Sequence, residues 1–243
     1  MQLRFDECEK ARFGYRIARL TLDSADESAD AERIVEICRT SSVEMLTVRV
    51  PTNNIAPVRA LEALEFRSMD CLVYYECPTE DIPAVKPSTV EIREATFGDV
   101  TAVAEIARLC FCAYSGHYHA DSRLDRVKVS EAYVDWAQRS CTDRELASCV
   151  YVPIVDGIVA GFIILRQNSP TEGEGVLNAV HPNYTGVGIY GQLIVRSKQW
   201  CRDNGMKRMV ISTQINNLKV QRAWSNRGFH LYKSYYTLHR WFV

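Results

Sequence analysis

Long apolar runs are missing from this chain. The longest, Val159 to Leu165, is far shorter than the ~20 residues a membrane-crossing helix needs. The first ten residues, Met1 to Lys10, mix Arg, Asp and Glu and lack the apolar core of a secretory signal. No Lys/Arg cluster is long enough to track a phosphate backbone, and the formal net charge is −1, so no nucleic acid partner is expected. The nine cysteines form no CxxC pair, and an odd number cannot close completely into bridges. Only Cys110 and Cys112 sit close together, at alternate positions that rarely ligate a metal. These absences predict a cytoplasmic protein with reduced core thiols, no metal and no membrane partner.

What is present is a globular composition. The 243 residues are 47% apolar, enough for one sizeable domain or one domain plus a smaller companion. Three of the eight prolines fall between Pro78 and Pro87, where missing donors and disfavoured helix mark a linker. The expected division is therefore residues 1–77, a linker over 78–88, and a second unit over 89–243. After the linker, residues 90–95 alternate like a strand, and a helix follows Asp99 with Val103, Ile106, Ala107 and Cys110 on one side. Residues 149–156 and 158–166 read as two strands joined by Asp156-Gly157, a dipeptide that tolerates positive φ at both positions. Val176 to Val180 is the next strand, followed by an amphipathic helix ending near Gly205. Lys207 to Thr213 is a strand, Asn217 to Arg227 a helix, and Phe229 to Phe242 a final extended segment. The class is mixed α/β.

The chain also repeats itself. A shift of 163 positions superimposes Arg33, Cys38, Asn53, Asn54, Arg59, Ala60 and Phe66 on Arg196, Cys201, Asn216, Asn217, Arg222, Ala223 and Phe229. Both copies read helix, strand, Asn-Asn, helix, Phe, strand. The first lacks the glycine-rich segment of the second, so it is expected to extend the sheet or wall a substrate site rather than to bind a cofactor.

That glycine-rich segment, Thr185-Gly186-Val187-Gly188-Ile189-Tyr190-Gly191, joins a strand to a helix. Glycines let the backbone bend tightly there, and exposed N–H groups with the helix dipole form an anion cradle. Read as GxGxxG it matches a dinucleotide fingerprint, but only about fifty residues come after it, and the next strand ends Ser212-Thr213-Gln214 without a ribose-binding carboxylate. The alternative anion is the pyrophosphate of coenzyme A.

Two landmarks here resemble the GNAT acetyltransferases. Val180-His-Pro182 followed by the loop containing Gly188 is similar to their cofactor loop, with departures at Thr185 and Tyr190. Asn217-x-x-Val220-x-x-x-Trp224-x-x-x-Gly228-Phe229 is similar to their C-terminal landmark, with Trp224 in the usual tyrosine position. Asn217 also stands where a helix N-cap is expected. The resemblance covers about residues 89–243. It implies a GNAT fold: a mixed, mostly antiparallel sheet with splayed central strands flanked by helices, preceded here by a degenerate half-GNAT domain. It implies acetyl-CoA, held by Asn178, Ala179 and Val180 along one splayed strand, by residues 185–191, and by Asn217 and Trp224.

Direct attack by an amine needs a route for its proton and, optionally, an acid for the leaving thiolate. Glu174, six residues before Val180, lies where some GNAT enzymes carry a base. Tyr232, Tyr235 and Tyr236 on the last strand are candidate acids in place of Trp224, and His117 and His119 are further candidate bases. Within the family, His117-Tyr-His119-Ala-Asp121-Ser-Arg123, Tyr133-Val-Asp-Trp136 and the closing Tyr235-Tyr-Thr-Leu-His-Arg-Trp241 look like the group acting on nucleotide-linked amino-deoxy sugars such as dTDP-fucosamine. That likeness implies an aminosugar acceptor for surface glycan synthesis, contacts from His117, His119, Asp121 and Arg123, and a possible homodimer. Another small amine or a peptide as acceptor, and a non-catalytic acyl-CoA-binding module, stay open.

Overall fold

The computed structural model describes residues 2–22, 30–80, 82, 90–112 and 114–243. Of the sequence-expected linker 78–88, residue 81 and residues 83–88 lie outside them, while Pro78 ends a strand and Thr79 is buried, donating to the Met206 carbonyl at 2.6 Å. The first half comprises β1 (Arg4–Phe5), α1 (Glu7–Phe13), β2 (Ile17–Thr21), α2 (Ala31–Thr40), β3 (Met45–Pro51), α3 (Ala56–Ala63) and β4 (Arg67–Pro78). The middle of the chain forms β5 (Glu91–Glu94), α4 (Val100–Phe111), α5 (His117–Ala120), α6 (Arg126–Ser140), β6 (Cys149–Val155), β7 (Ile158–Val159) and β8 (Gly161–Ser169). The chain closes with β9 (Glu172–Val180), α7 (Ile189–Asp203), β10 (Arg208–Gln214), α8 (Leu218–Ser225) and β11 (His230–Trp241).

Local signals explain most boundaries. Asp156 and Gly157 take φ of 50° and 77°, the paired positive values that a tight hairpin requires. Thr96 and Asp99 form a capping box ahead of α4, and Asp99 also accepts from Arg93 at 2.7 and 2.9 Å. Asp30 caps α2 and Asp125 caps α6 through side-chain oxygens.

The strands form one sheet in the order β1-β2-β3-β11-β4-β10-β9-β8-β6-β5. The repeat holds along the full length of its strands: β3 and β4 lie 163 positions before β10 and β11, end to end. The two copies exchange their last strands. β11 pairs with β3, β4 pairs with β10, and β11 and β4 pair with each other at the centre. Leu238 of β11 is accordingly buried with Val48, Val50, Ile34 and Leu61 of the first copy. Sequence order gives no hint of this exchange, because it joins residues nearly two hundred positions apart.

Three packed layers result. On one face α7 and α8 bury Ile189, Leu193, Ile194 and Trp224 against Ile163, Leu165 and Ile211, while α2 and α3 cover the first copy. On the other, α4 and α6 bury Val103, Ile106, Ala107, Val134 and Ala137 against Val150, Phe162, Ile164 and Leu177. A fourth cluster, around Phe13, Met45, Tyr118 and Val129, seats α1, α5 and α6 over the β2–β3 edge.

Candidate active site: a cleft between parting strands

β9 and β10 are parallel and paired only from Glu172/Arg208 to Gly175/Ile211. Beyond Gly175 the strands part. Against its other neighbour, β9 shifts register between Gly175 and Leu177, so Val176 is the extra residue of a bulge. A bulge bends its strand and re-aims the residues beyond it. The equivalent pair in the first copy, β2 and β3, stays in register from Ile17/Met45 to Thr21/Arg49, so no cleft forms there.

The opening is a cavity of about 560 Å³. Val176 to Val180 line one side, Ser212 and Thr213 the other, and Cys110, Phe111 and Tyr114 close it on the α4 side. On the α7 side it is lined by Tyr184 to Gly186, Gly188 to Gly191, and Asn217, Trp224 and Arg227 of the α8 region. All of the sequence-expected cofactor positions therefore border one space except Val187, which is 69% exposed and turns outward.

Gly186 and Gly188 adopt φ of 86° and 87°, where L side chains are strained. The turn delivers the chain into α7 with the backbone N–H groups of residues 186–191 lacking backbone partners among the described residues. Gly191 leaves room for Arg227: a Cβ there would overlap its guanidinium, which would have to move aside. Arg227, anchored by Nη1 to the Ala223 carbonyl at 3.0 Å, thus lies across the start of α7, and Lys219 lies at the same cavity. Free amides, a helix N-terminus and a cation suit a pyrophosphate, and the long cleft behind them suits a pantetheine arm. Arg227 and Lys219 are not among the sequence-expected positions, although Asn217, Val220, Trp224 and Arg227 recur at helical spacing.

Asn217 departs from its expected capping role. It makes no side-chain cap; its Nδ2 donates to Thr213 Oγ1 at 3.0 Å, tying α8 to the cleft wall. Tyr190 packs against the core while bordering the cavity, and its hydroxyl accepts from Trp224 Nε1 at 2.6 Å. Burial raises the Tyr190 phenol, so it stays protonated at neutral pH.

The candidate catalytic residues fall outside the cavity wall. Glu174 sits where β9 and β10 are still paired, its Oε2 bound by Arg166 at 2.7 Å and Asn168 at 3.0 Å. Tyr232 and Tyr235 pack edge-on against Tyr74, whose ring sits near Ser212. Tyr236 lies in the first copy's core.

The candidate acceptor residues divide. Asp121 Oδ2 bonds His239 Nδ1 at 2.8 Å and Trp241 Nε1 at 2.9 Å on the last strand, and Arg123 reaches the Val243 carbonyl just beyond it. Burial alone would raise Asp121, but the hydrogen bonds from His239, Trp241 and the Arg123 amide hold it below the usual range. His239 Nε2 in turn meets His117 Nδ1 at 2.8 Å, giving an Asp121–His239–His117 chain. Burial, then the charges of His239, Arg49 and Arg19, hold His117 well below its ordinary value, so it is neutral at pH 7. His119 is lowered likewise by burial and Arg126, and stacks on Tyr133 beside Tyr114.

Among the described residues no cluster of side chains suits a metal ion, and no helix is long and apolar enough to cross a membrane. The sequence matches no curated protein. The sequence profile of the Acetyltransferase (GNAT) family matches residues 103–229. Among solved structures, a tandem GNAT protein of the clavulanic acid biosynthesis pathway is similar over 94% of this chain and 76% of its own, at 13% identity and a TM-score of 0.64. A GCN5-related N-acetyltransferase from Sphaerobacter thermophilus matches at 16% identity and a TM-score of 0.59, over 86% of this chain, which spans 65% of that protein. PaiA N-acetyltransferase from Thermoplasma acidophilum, solved with coenzyme A, matches over 64% of this chain and 100% of its own, at 17% identity and a TM-score of 0.50. At such identities the likeness is one of fold.

Proposed function

From the premise that the chain belongs to the GNAT acetyltransferase family, whose acyl donor is acetyl-CoA, we propose that it acetylates the amino group of a nucleotide-linked amino-deoxy sugar, of the 4-amino-4,6-dideoxyhexose type, for surface glycan synthesis. The observation that carries the donor side is the cleft between β9 and β10, opening directly above the glycine turn and Arg227. The amides of residues 186–191, with Arg227, would hold the pyrophosphate. The parted edges of Asn178, Ala179 and Val180 would align the arm. Bound there, acetyl-CoA supplies a thioester whose carbonyl an amine attacks directly.

The chain's own groups then have three tasks. Backbone amides of the parted β9 edge would polarise the carbonyl oxygen. Tyr190 is the hydroxyl that fills the role Trp224 cannot: its oxygen accepts from the indole, leaving its own proton to donate into the cavity. The third task, taking the amine's proton, would fall to a group off the cavity wall, where His117 with His239 and Asp121, Glu174, Tyr232 and Tyr235 all stand. Residues 1–77 would serve as a degenerate half-domain walling the acceptor side, joined through 78–88 to the catalytic unit 89–243.

Incubation with acetyl-CoA and dTDP-4-amino-4,6-dideoxygalactose tests this. Free CoA thiol and a sugar nucleotide heavier by one acetyl group are expected. Thiol release with polyamines or peptide amines but not with aminosugar nucleotides would replace this acceptor class.

A further inference from the structure

On the sheet face turned away from α7, three neighbouring strands present one row of polar side chains. Thr237 of β11 stands opposite Arg49 of β3 on one side and Asp70 of β4 on the other. Both Asp70 carboxylate oxygens are shielded from solvent and have no hydrogen-bond partner among the described residues. The same holds for Thr237 Oγ1, for Thr47 Oγ1 two residues along β3 from Arg49, and for His119 Nε2. Arg49 forms no ion pair among the described residues; its only side-chain hydrogen bond there is a long one, 3.4 Å, to Tyr74 Oη.

Folded chains leave few buried polar groups unpaired, and a shielded carboxylate without a partner is among the more costly. Arg49 and Asp70 do not satisfy each other, because two strand spacings, about 10 Å, separate their backbones with Thr237 between. No side chain of the row lines the donor cavity itself; the row reaches it through its neighbours. Burial, and with it the Asp70 charge, raises the phenols of Tyr114 and Tyr133, and Arg49 acts on Tyr133 and His117. Tyr114 in turn lines the donor cavity, with its hydroxyl on Gln214 at the end of β10.

The geometry points to an acceptor subsite in which Asp70 takes the substrate ammonium and Arg49 an anionic group of the same molecule. The acceptor is then a primary amine carrying a phosphate or carboxylate within about 10 Å. This rests on the acetyl-transfer reading and narrows it. It also explains why the first copy's strands matter to a site whose donor half lies entirely in the second: Arg49 and Asp70 belong to β3 and β4.

The test is thermal stabilisation of the full chain by three probes, glucosamine 6-phosphate, L-glutamate and glucosamine, in wild type, Asp70→Asn and Arg49→Gln. The anion-bearing amines should stabilise wild type more than glucosamine does, and the stronger of the two identifies phosphate or carboxylate as the anion. Asp70→Asn should weaken binding of the stronger probe roughly 30-fold or more. Arg49→Gln should bring its effect down to that of glucosamine. Without probes, Asp70→Asn should melt no lower than wild type, since it removes an unpaired buried charge. Lack of response in wild type, an unchanged response in Asp70→Asn, or a lower melting temperature of that variant alone would overturn the subsite. Acetyl-CoA is the control: if it fails to stabilise wild type, the acetyl-transfer reading falls, while the probe comparison still decides this one.

Discussion

Replacing Gly191 by Ala should weaken acetyl-CoA binding although Gly191 carries no side chain to lose. Its new Cβ would occupy the place of the Arg227 guanidinium, which must then leave the start of α7. A charge-assisted hydrogen bond contributes about 1.5–3 kcal/mol, so losing Arg227 from the pyrophosphate should weaken binding roughly 10- to 150-fold. Arg227→Ala should lose the same amount directly. Because both changes remove one interaction, the double variant should bind about as Arg227→Ala does, with a coupling energy close to the whole single effect. Isothermal titration of acetyl-CoA into the four proteins closes the cycle. Additive losses, or an Arg227→Ala protein that binds normally, would refute the placement of that cation.

Other consequences are as direct. Tyr190→Phe should lower kcat roughly tenfold with little change in the KM for acetyl-CoA, below the usual general-acid effect of about 10²–10⁴-fold because a thiolate of pKa near ~8.5 leaves readily; an unchanged kcat would remove Tyr190 from the chemistry. His117 is held neutral, so below about pH 6.5 the unfolded chain takes up a proton that the folded chain refuses. Its contribution to stability is complete above that pH and is lost as pH falls, and His117→Asn should flatten the decline in melting temperature on the acid side. Leu238→Ala should cost about 2–5 kcal/mol, because that second-copy side chain fills the first copy's core. Its denaturation curve should remain a single transition reported alike by probes in either half, and two separated transitions would contradict the exchanged strands.

What could be read from the residues was what short-range chemistry dictates. Asp156-Gly157 named its hairpin, Gly186 and Gly188 named the turn, and the 163-residue shift named the matching strands. The exchange of β4 and β11 was not legible, since strand pairing is settled by which faces can be buried together rather than by anything in Leu238 or Val48 alone. The Val176 bulge opens the cleft, yet valine at that position looks like any strand residue. Arg227 was hidden because its partner is a glycine one helix away, and its helical spacing from Asn217 and Trp224 was the available clue. Asp121 was drawn to the last strand by His239 and Trp241, and Arg123 to Val243 just beyond it, contacts between segments more than a hundred residues apart. Asp70 carried no signal because a lone acidic residue on a strand ordinarily faces water.

The central claim is that the cleft above Gly188 holds acetyl-CoA, and melting of wild type and Gly188→Trp with and without that ligand tests it most directly. At a hundred times its dissociation constant a ligand adds roughly 2.7 kcal/mol to the native state. The account predicts a clear rise in melting temperature for wild type and none for Gly188→Trp, whose side chain would stand at the cavity wall on a backbone with φ of 87°. A folded wild type that acetyl-CoA leaves unchanged would contradict it.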